Sequence, residues 1–73
     1  MECDAELDAR GLLCPLPVLK ARKRLNAMTD GQILLVLADD PAAVIDFPHF
    51  CQEQGHDLIK SVGFEFWLRK GVA

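Results

Sequence analysis

The positions of the four prolines constrain most strongly how this chain of 73 residues can fold, because they limit where helices begin and continue. Pro15 and Pro17 lie close together, and Pro41 follows two aspartates. These positions suit the first turn of a helix, where a missing N–H has no intrahelical partner to lose. Pro48 lacks an N–H that a continuous helix needs in its interior. The prolines therefore predict two helical regions, with a break in the second.

Hydrophobic periodicity assigns the other segments. Residues 3–8 alternate apolar and acidic side chains, as in a strand buried on one face. Apolar residues recur at helical spacing over residues 15–28, which predicts the first helix. Residues 33–38 form a continuous, branched-rich apolar run, which is typical of a central strand. Residues 58–62 and 64–70 predict two more strands, joined by a tight turn.

The second helical region begins at Asp39-Asp40-Pro41, where an aspartate can cap free N–H groups, and it ends at Gly55. Because of Pro48, we predict two pieces, residues 41–46 and 47–54, that meet at an angle. The resulting order, β-α-β-α-β-β, predicts an α/β fold: a two-layer sandwich with a four-stranded mixed sheet and two helices on one face. A chain this short supports one modest core, so residues 1–73 are expected to form a single domain. The order of the strands in the sheet stays open.

Charge and cysteine content exclude several classes of function. The net charge of -3 argues against nucleic acid as the main ligand, because binding phosphates requires an excess of Lys and Arg. The three cysteines, Cys3, Cys14 and Cys51, are odd in number and far apart, which suggests neither a disulfide framework nor a metal site. No apolar run approaches the length of a membrane span, and the N-terminus lacks signal-peptide character. We therefore expect a cytoplasmic protein with free thiols, no cofactor and no contact with membranes.

Cys14 is the residue on which a chemical function can be based. It lies at the predicted start of the first helix, where the helix dipole favours a thiolate, so we expect a moderate lowering of its pKa. Pro15 and Pro17 stiffen the backbone there but remove two N–H donors, which leaves the N–H of Leu16 as the main one. No second cysteine lies three residues away, and neither His49 nor His56 is obviously placed as a base. A lone sulfur that accepts and hands on a group fits a carrier better than a catalyst.

The segment from Leu7 to Pro17, Leu-Asp-Ala-Arg-Gly-Leu-Leu-Cys-Pro-Leu-Pro, resembles the signature of the TusA/SirA-like sulfur carriers, whose core is Cys-Pro-x-Pro. The resemblance continues through later segments and covers roughly residues 4–71. It implies the sandwich fold and a persulfide on Cys14, received from a cysteine desulfurase or a rhodanese-like donor and passed to an acceptor protein. Members of the family serve tRNA thiolation, sulfur oxidation, and molybdenum-cofactor and selenium-related pathways.

Two positions depart from the tRNA-thiolating members of that family. Leu16 is apolar where those members have an acidic residue, and the hairpin at Gly63 is shorter. Both differences bear on the choice of partner and leave the chemistry of Cys14 unchanged.

Further residues are predicted to support the site. Within the motif, Gly11, Pro15 and Pro17 shape the start of the helix, whereas Asp8 and Arg10 are expected to brace the loop before Cys14 rather than take part in the chemistry. Four of the eight basic residues cluster on the first helix and form either a docking surface for an acidic partner or simply a solvated face: Lys20, Arg22, Lys23 and Arg24.

Four other residues have competing structural and functional interpretations. Trp67 either is exposed on the outer face of the sheet, where it can anchor a partner, or packs at an edge. Cys3 and Cys51 are expected to pack as small apolar side chains, and His56 to cap or hydrogen-bond rather than bind metal.

Two other classes of function stay open beside the carrier. An interaction-only regulator would tolerate Cys14→Ser, whereas a carrier would not. An RNA-binding module is supported only by the basic cluster and is opposed by the acidic net charge. Small exposed surfaces suit brief contacts, so a monomer with transient complexes is expected.

Overall fold

A computed structural model describes residues 2–71. It has six elements in the predicted order: β1 (Ala5–Asp8), α1 (Leu16–Asn26), β2 (Ile33–Leu37), α2 (Ala43–Gln54), β3 (Asp57–Val62) and β4 (Glu65–Arg69). The predicted α/β class and β-α-β-α-β-β order are confirmed, and most elements are shorter than predicted by one or two residues at an end. The residues missing from the predicted ends lie in the segments that flank or connect the elements.

The four strands form one mixed sheet in the order β1-β2-β4-β3. β1 runs parallel to β2, and β4 runs antiparallel to both β2 and β3. β1 and β3 are therefore the edge strands. Because β1 and β2 are parallel, the loops that leave their carboxyl ends emerge at the same end of the sheet.

The core lies between the helices and one face of the sheet. Alternate residues of the two central strands point into it, since strand side chains alternate between faces: Leu34, Val36, Phe66 and Leu68. The helices contribute a second set: Ala21, Leu25, Ala43, Phe47, Phe50 and Cys51. The rings of Phe47 and Phe66 are 4.9 Å apart between centroids, so an aromatic contact joins α2 to the middle of the sheet.

The predicted break at Pro48 is wrong, because α2 runs unbroken from Ala43 to Gln54. Pro48 is exposed, and the missing N–H removes one hydrogen bond on the solvent side of the helix. Phe47 and Phe50, on either side of it, are buried and anchor the helix to the core. The predicted helix start at Asp39-Asp40-Pro41 is wrong, because α2 begins at Ala43 and its N-cap, Ala42, makes no side-chain cap. Asp40 Oδ1 instead accepts the N–H of Ala42 at 3.1 Å, in the turn before the helix.

Neither of the two alternatives for Trp67 is correct, because Trp67 is neither exposed nor at an edge of the sheet. β4 is a central strand, and the register places Trp67 between Leu35 of β2 and Lys60 of β3. Lys60 Nζ lies 5.0 Å from the centroid of the indole ring, and only 8 % of Trp67 is exposed. Neighbours on both sides of a central strand cover the ring, so Trp67 packs within the outer face of the sheet and does not offer an exposed anchor.

Candidate functional site

The loop that follows β1 and the loop that follows β2 meet at the same end of the sheet. Side chains of the loop after β2 accept hydrogen bonds from the backbone of the loop after β1. The N–H of Gly11 donates to both carboxylate oxygens of Asp39, each at 3.0 Å. The N–H of Cys14 donates to Asp40 Oδ2 at 2.7 Å. Gly11 has a φ of 84°, a left-handed conformation that glycine adopts without steric cost. Asp39 and Asp40 therefore fix the loop that carries Cys14.

Sequence reasoning missed this role of Asp39 and Asp40, because it treated them only as the start of a helix. A usable signal was present. Asp39 and Asp40 follow β2, and the loop that contains Gly11 follows β1. Because β1 and β2 are parallel, their carboxyl ends lie together.

Asp8 and Arg10 brace the beginning of the same loop, as predicted. Asp8 accepts hydrogen bonds from the backbone N–H of Arg10 at 3.1 Å and from its guanidinium at 2.9 Å. This pairing holds the pKa of Asp8 at about 2, below its usual 3.8. Both side chains are more than half exposed, so they shape the loop locally and do not reach into the core.

Cys14 is exposed at the tip of this loop, two residues before α1 begins. The Cys14–Pro15 peptide bond is cis, and Pro17 is buried in the first turn of α1. The loop that carries Cys14 and the first turns of both helices expose large aliphatic side chains: Leu13, Leu16, Leu19, Val44 and Ile45. We call these five residues the apolar collar. An exposed apolar group of this kind marks a surface for protein contact.

The expected lowering of the Cys14 pKa is wrong in direction. A hydrogen bond to the Asp46 carboxylate raises the pKa of this thiol, and partial loss of water and the charges of Asp46 and Asp40 raise it further. The donor that sequence reasoning left to the thiolate is used elsewhere, since the N–H of Leu16 donates to Leu13 O at 2.8 Å. The nearby carboxylates therefore favour the protonated thiol of Cys14 over the thiolate.

A groove of about 210 Å³ opens beside the sulfur, between α1 and α2. We call it the Cys14 groove; its lining residues are Cys14, Pro15, Val18, Asp46, His49, Phe50 and Glu53. His49, which the sequence did not place near Cys14, thus lies in the same groove. Its Nε2 is 3.3 Å from Glu53 Oε1, and both side chains are mostly exposed.

The basic cluster of α1 divides between two surroundings. Three of its members line a second groove of about 300 Å³ on the side of β1, with Leu7 and Ala27 as apolar neighbours: Lys20, Lys23 and Arg24. We call this the basic groove. Arg22 is exposed but does not line it. Arg24 also donates to the carbonyl of Glu6 at 3.3 Å, which ties the groove to the edge strand.

The remaining candidate residues are Cys51, Cys3 and His56. Cys51 is buried, as expected, and burial raises the pKa of its thiol to about 11. Cys3 is exposed, so the expectation that it packs is wrong. The predicted hydrogen-bonding role of His56 is confirmed, because its Nδ1 accepts the N–H of Gly71 at 3.0 Å and its ring packs against Phe50.

Over residues 2–71, no cluster of three or more His, Cys, Asp or Glu side chains forms a set of metal ligands. None of the helices in this described part is long and apolar enough to cross a membrane.

Comparison with known proteins identifies the family. A sequence model of the family described as "Sulfurtransferase TusA" matches residues 5–70. A curated relative from Allochromatium vinosum, named "Sulfur carrier protein TusA", is 55 % identical over 71 residues, which cover 92 % of this chain and 93 % of the relative. The matched residues include the whole loop around Cys14, the apolar collar and both grooves. This chain therefore belongs to the TusA/SirA-like family.

Proposed function

We propose that this protein is a sulfur carrier that holds transferable sulfur as a persulfide on Cys14. The name of its relative from Allochromatium vinosum supports a carrier role. The observation that carries the proposal for this chain is the presentation of one exposed thiol at the tip of a loop that two aspartates hold in place. A thiol that must meet the reactive sulfur of another protein needs both exposure and a fixed position.

The chemistry is an exchange between a thiol and a persulfide. Cys14 Sγ attacks the outer sulfur of the donor persulfide, a new S–S bond forms at Cys14, and the donor S–S bond breaks. The proton of the Cys14 thiol passes to the departing donor thiolate. The products are the Cys14 persulfide and the donor thiol, so atoms balance and no outside oxidant is needed. Transfer to the acceptor repeats the exchange in the opposite sense.

Protein partners on both sides of the transfer fit the surface around Cys14. The donor is a cysteine desulfurase or a rhodanese-like protein, and the acceptor is another sulfur-relay protein, for example in tRNA 2-thiouridine synthesis. The apolar collar and the basic groove supply contact surface without an enclosed cavity. Direct contact with nucleic acid is not required. These transfers take place in the cytoplasm between a monomeric carrier and transient partners.

A transfer assay tests this proposal. The purified protein is incubated with a cysteine desulfurase and cysteine, then with a rhodanese and thiosulfate, and intact masses are recorded without reductant. We expect one added sulfur on wild type and on the matched control Cys3→Ser, and none on Cys14→Ser. Failure of both donors to load wild type, or equal loading of Cys14→Ser, would contradict the proposal.

An interaction-only regulator is the second candidate, because the apolar collar serves protein contact whether or not sulfur is transferred. Genetic complementation separates the two. A carrier loses all function in Cys14→Ser and keeps it in Cys3→Ser, whereas a regulator keeps it in both. Replacement of two collar residues, Leu13→Ser with Ile45→Ser, impairs either function and so serves as the positive control for loss of contact.

A further inference from the structure

The two grooves on α1 have opposite electrostatic character. The basic groove on one side holds Lys20, Lys23 and Arg24. The Cys14 groove on the other side holds the carboxylates of Asp46 and Glu53, and His49, which lies 3.3 Å from Glu53, is also part of its lining. Among residues 2–71, no Lys or Arg lines this groove. The reacting sulfur thus lies on the acidic side of the helix, although the helix as a whole is basic.

The lining of the Cys14 groove has a second property, which is that apolar residues line it together with the carboxylates. These apolar residues are Pro15, Val18 and Phe50. Arginine and lysine side chains combine a long aliphatic stem with a charged end, and they bury the stem along apolar surface while the charge meets a polar group. A groove of about 210 Å³ lined by both apolar residues and carboxylates matches that chemistry.

We infer that the Cys14 groove receives a cationic side chain, an arginine or lysine, from the protein that docks to exchange sulfur with Cys14. This inference rests on the proposed carrier function and specifies the partner: it carries a cation beside its own reactive sulfur and an acidic patch that faces the basic groove. Opposite charges on the two sides of α1 also fix the orientation of docking, because a reversed partner would place like charges together.

Docking then changes the state of the thiol. In the free protein, the hydrogen bond to Asp46 is the main reason that the pKa of Cys14 is raised. A partner cation that pairs with Asp46 withdraws that carboxylate from the sulfur and offsets its charge, so the thiolate becomes easier to form only when a partner is bound. Small anionic sulfur compounds lack the cation and meet repulsion from the carboxylates.

The charge preference of the groove can be measured with three methanethiosulfonate reagents that share one reactive group and differ in charge: the trimethylammonium, the uncharged methyl and the sulfonate forms. Their second-order rates with Cys14 are compared in a Cys3→Ser background, in which Cys51 is buried. Because the attacking thiolate is itself anionic, the ratio of cationic to anionic rates is compared with that of a small neutral thiol, and we expect it to be about tenfold higher at Cys14, since each nearby carboxylate favours one charge and opposes the other. The uncharged reagent corrects for changes in thiolate content.

Three variants locate the source of that preference. Asp46→Asn should reduce the ratio of cationic to anionic rates severalfold, and Glu53→Gln by a smaller factor. Glu65→Gln, which removes the same charge from an exposed position on β4, should leave the ratio unchanged. A wild-type ratio no higher than that of the small neutral thiol, or equal ratios in Asp46→Asn and Glu65→Gln, would overturn the inference.

This measurement does not depend on sulfur transfer. If the cationic preference is observed and no donor loads Cys14, the proposed carrier function fails while the cation-binding groove stands. If donors load Cys14 and the preference is absent, the carrier function stands and the inference about the partner fails.

Discussion

Cys14 and Cys51 are two thiols with raised pKa values and different causes. Cys51 lies in the core, where loss of water raises its pKa to about 11. Cys14 is exposed, and the hydrogen bond to Asp46 is the main reason that its pKa is raised. Burial is reversed only when the protein opens, whereas the influence of a carboxylate can be cancelled by a partner's charge. Of these two cysteines, only Cys14 can therefore be activated in the folded state.

The largest expected difference between these cysteines is their reactivity with iodoacetamide in the native protein. A pKa raised from 9.0 to about 11 leaves about 100-fold less thiolate at neutral pH than an ordinary cysteine has, and burial slows access to Cys51 further. Peptide-resolved mass spectrometry should find Cys14 labelled in the native protein and Cys51 labelled only after denaturation. Equal labelling of Cys14 and Cys51 in the native protein would contradict the difference in accessibility and thiolate content between them.

Serine substitution compares the same two positions by stability. At Cys51, a hydroxyl would be buried among apolar neighbours without a hydrogen-bond partner, so we expect Cys51→Ser to lower the free energy of unfolding by about 1–3 kcal/mol. Cys14→Ser should change it by no more than about 0.5 kcal/mol, because the side chain is exposed. Urea denaturation measures both, and similar losses in the two variants would show that Cys14 is part of the packed structure.

Asp46→Asn should sharpen the contrast by lowering the pKa of Cys14. Removal of the carboxylate charge makes the thiolate less costly, and the rate of alkylation at neutral pH should rise severalfold, by about tenfold for each unit by which the pKa falls. The pH dependence of the iodoacetamide rate gives the midpoint directly. Glu65→Gln is the matched control. An unchanged midpoint in Asp46→Asn would mean that Asp46 does not raise the pKa of Cys14.

The smallest expected effect is that of Asp8→Asn on stability. In Asp8, unlike in the two cysteines, pairing with a cation lowers the pKa. Its folded pKa of about 2 lies below the usual 3.8, so its pairing with Arg10 stabilises the fold fully above the usual value and is lost as the pH falls toward 2. The difference in melting temperature between wild type and Asp8→Asn should be small at neutral pH and disappear near pH 2. A difference independent of pH would indicate that the charge of Asp8 is irrelevant.

Much of the fold follows from local sequence pattern. Alternation, helical spacing and the prolines predicted all six elements, because each signal reflects a backbone constraint that acts within a few residues. Pro48 and Trp67 were misinterpreted for a shared reason. Whether a helix tolerates a proline, or a strand covers an indole, depends on neighbours that are distant in the chain.

The site shows the same division between local and distant information. Cys14, Asp8 and Arg10 belong to one local motif and were predicted from it. Asp46 and His49 are more than thirty positions from Cys14 and reach it only because α1 and α2 pack together. The direction of the Cys14 pKa depended on Asp46, so it was not available from the sequence near the cysteine.

The site of sulfur attachment is the most direct test. Wild-type protein is loaded by a cysteine desulfurase with cysteine, free and persulfide sulfurs are blocked with iodoacetamide, and the peptides of all three cysteines are compared in one sample. We expect one added sulfur on the Cys14 peptide, removed by reductant, and none on the Cys51 peptide. Added sulfur spread equally over Cys14 and Cys3, or found on neither while the desulfurase is active, would contradict the assignment of Cys14 as the carrier thiol.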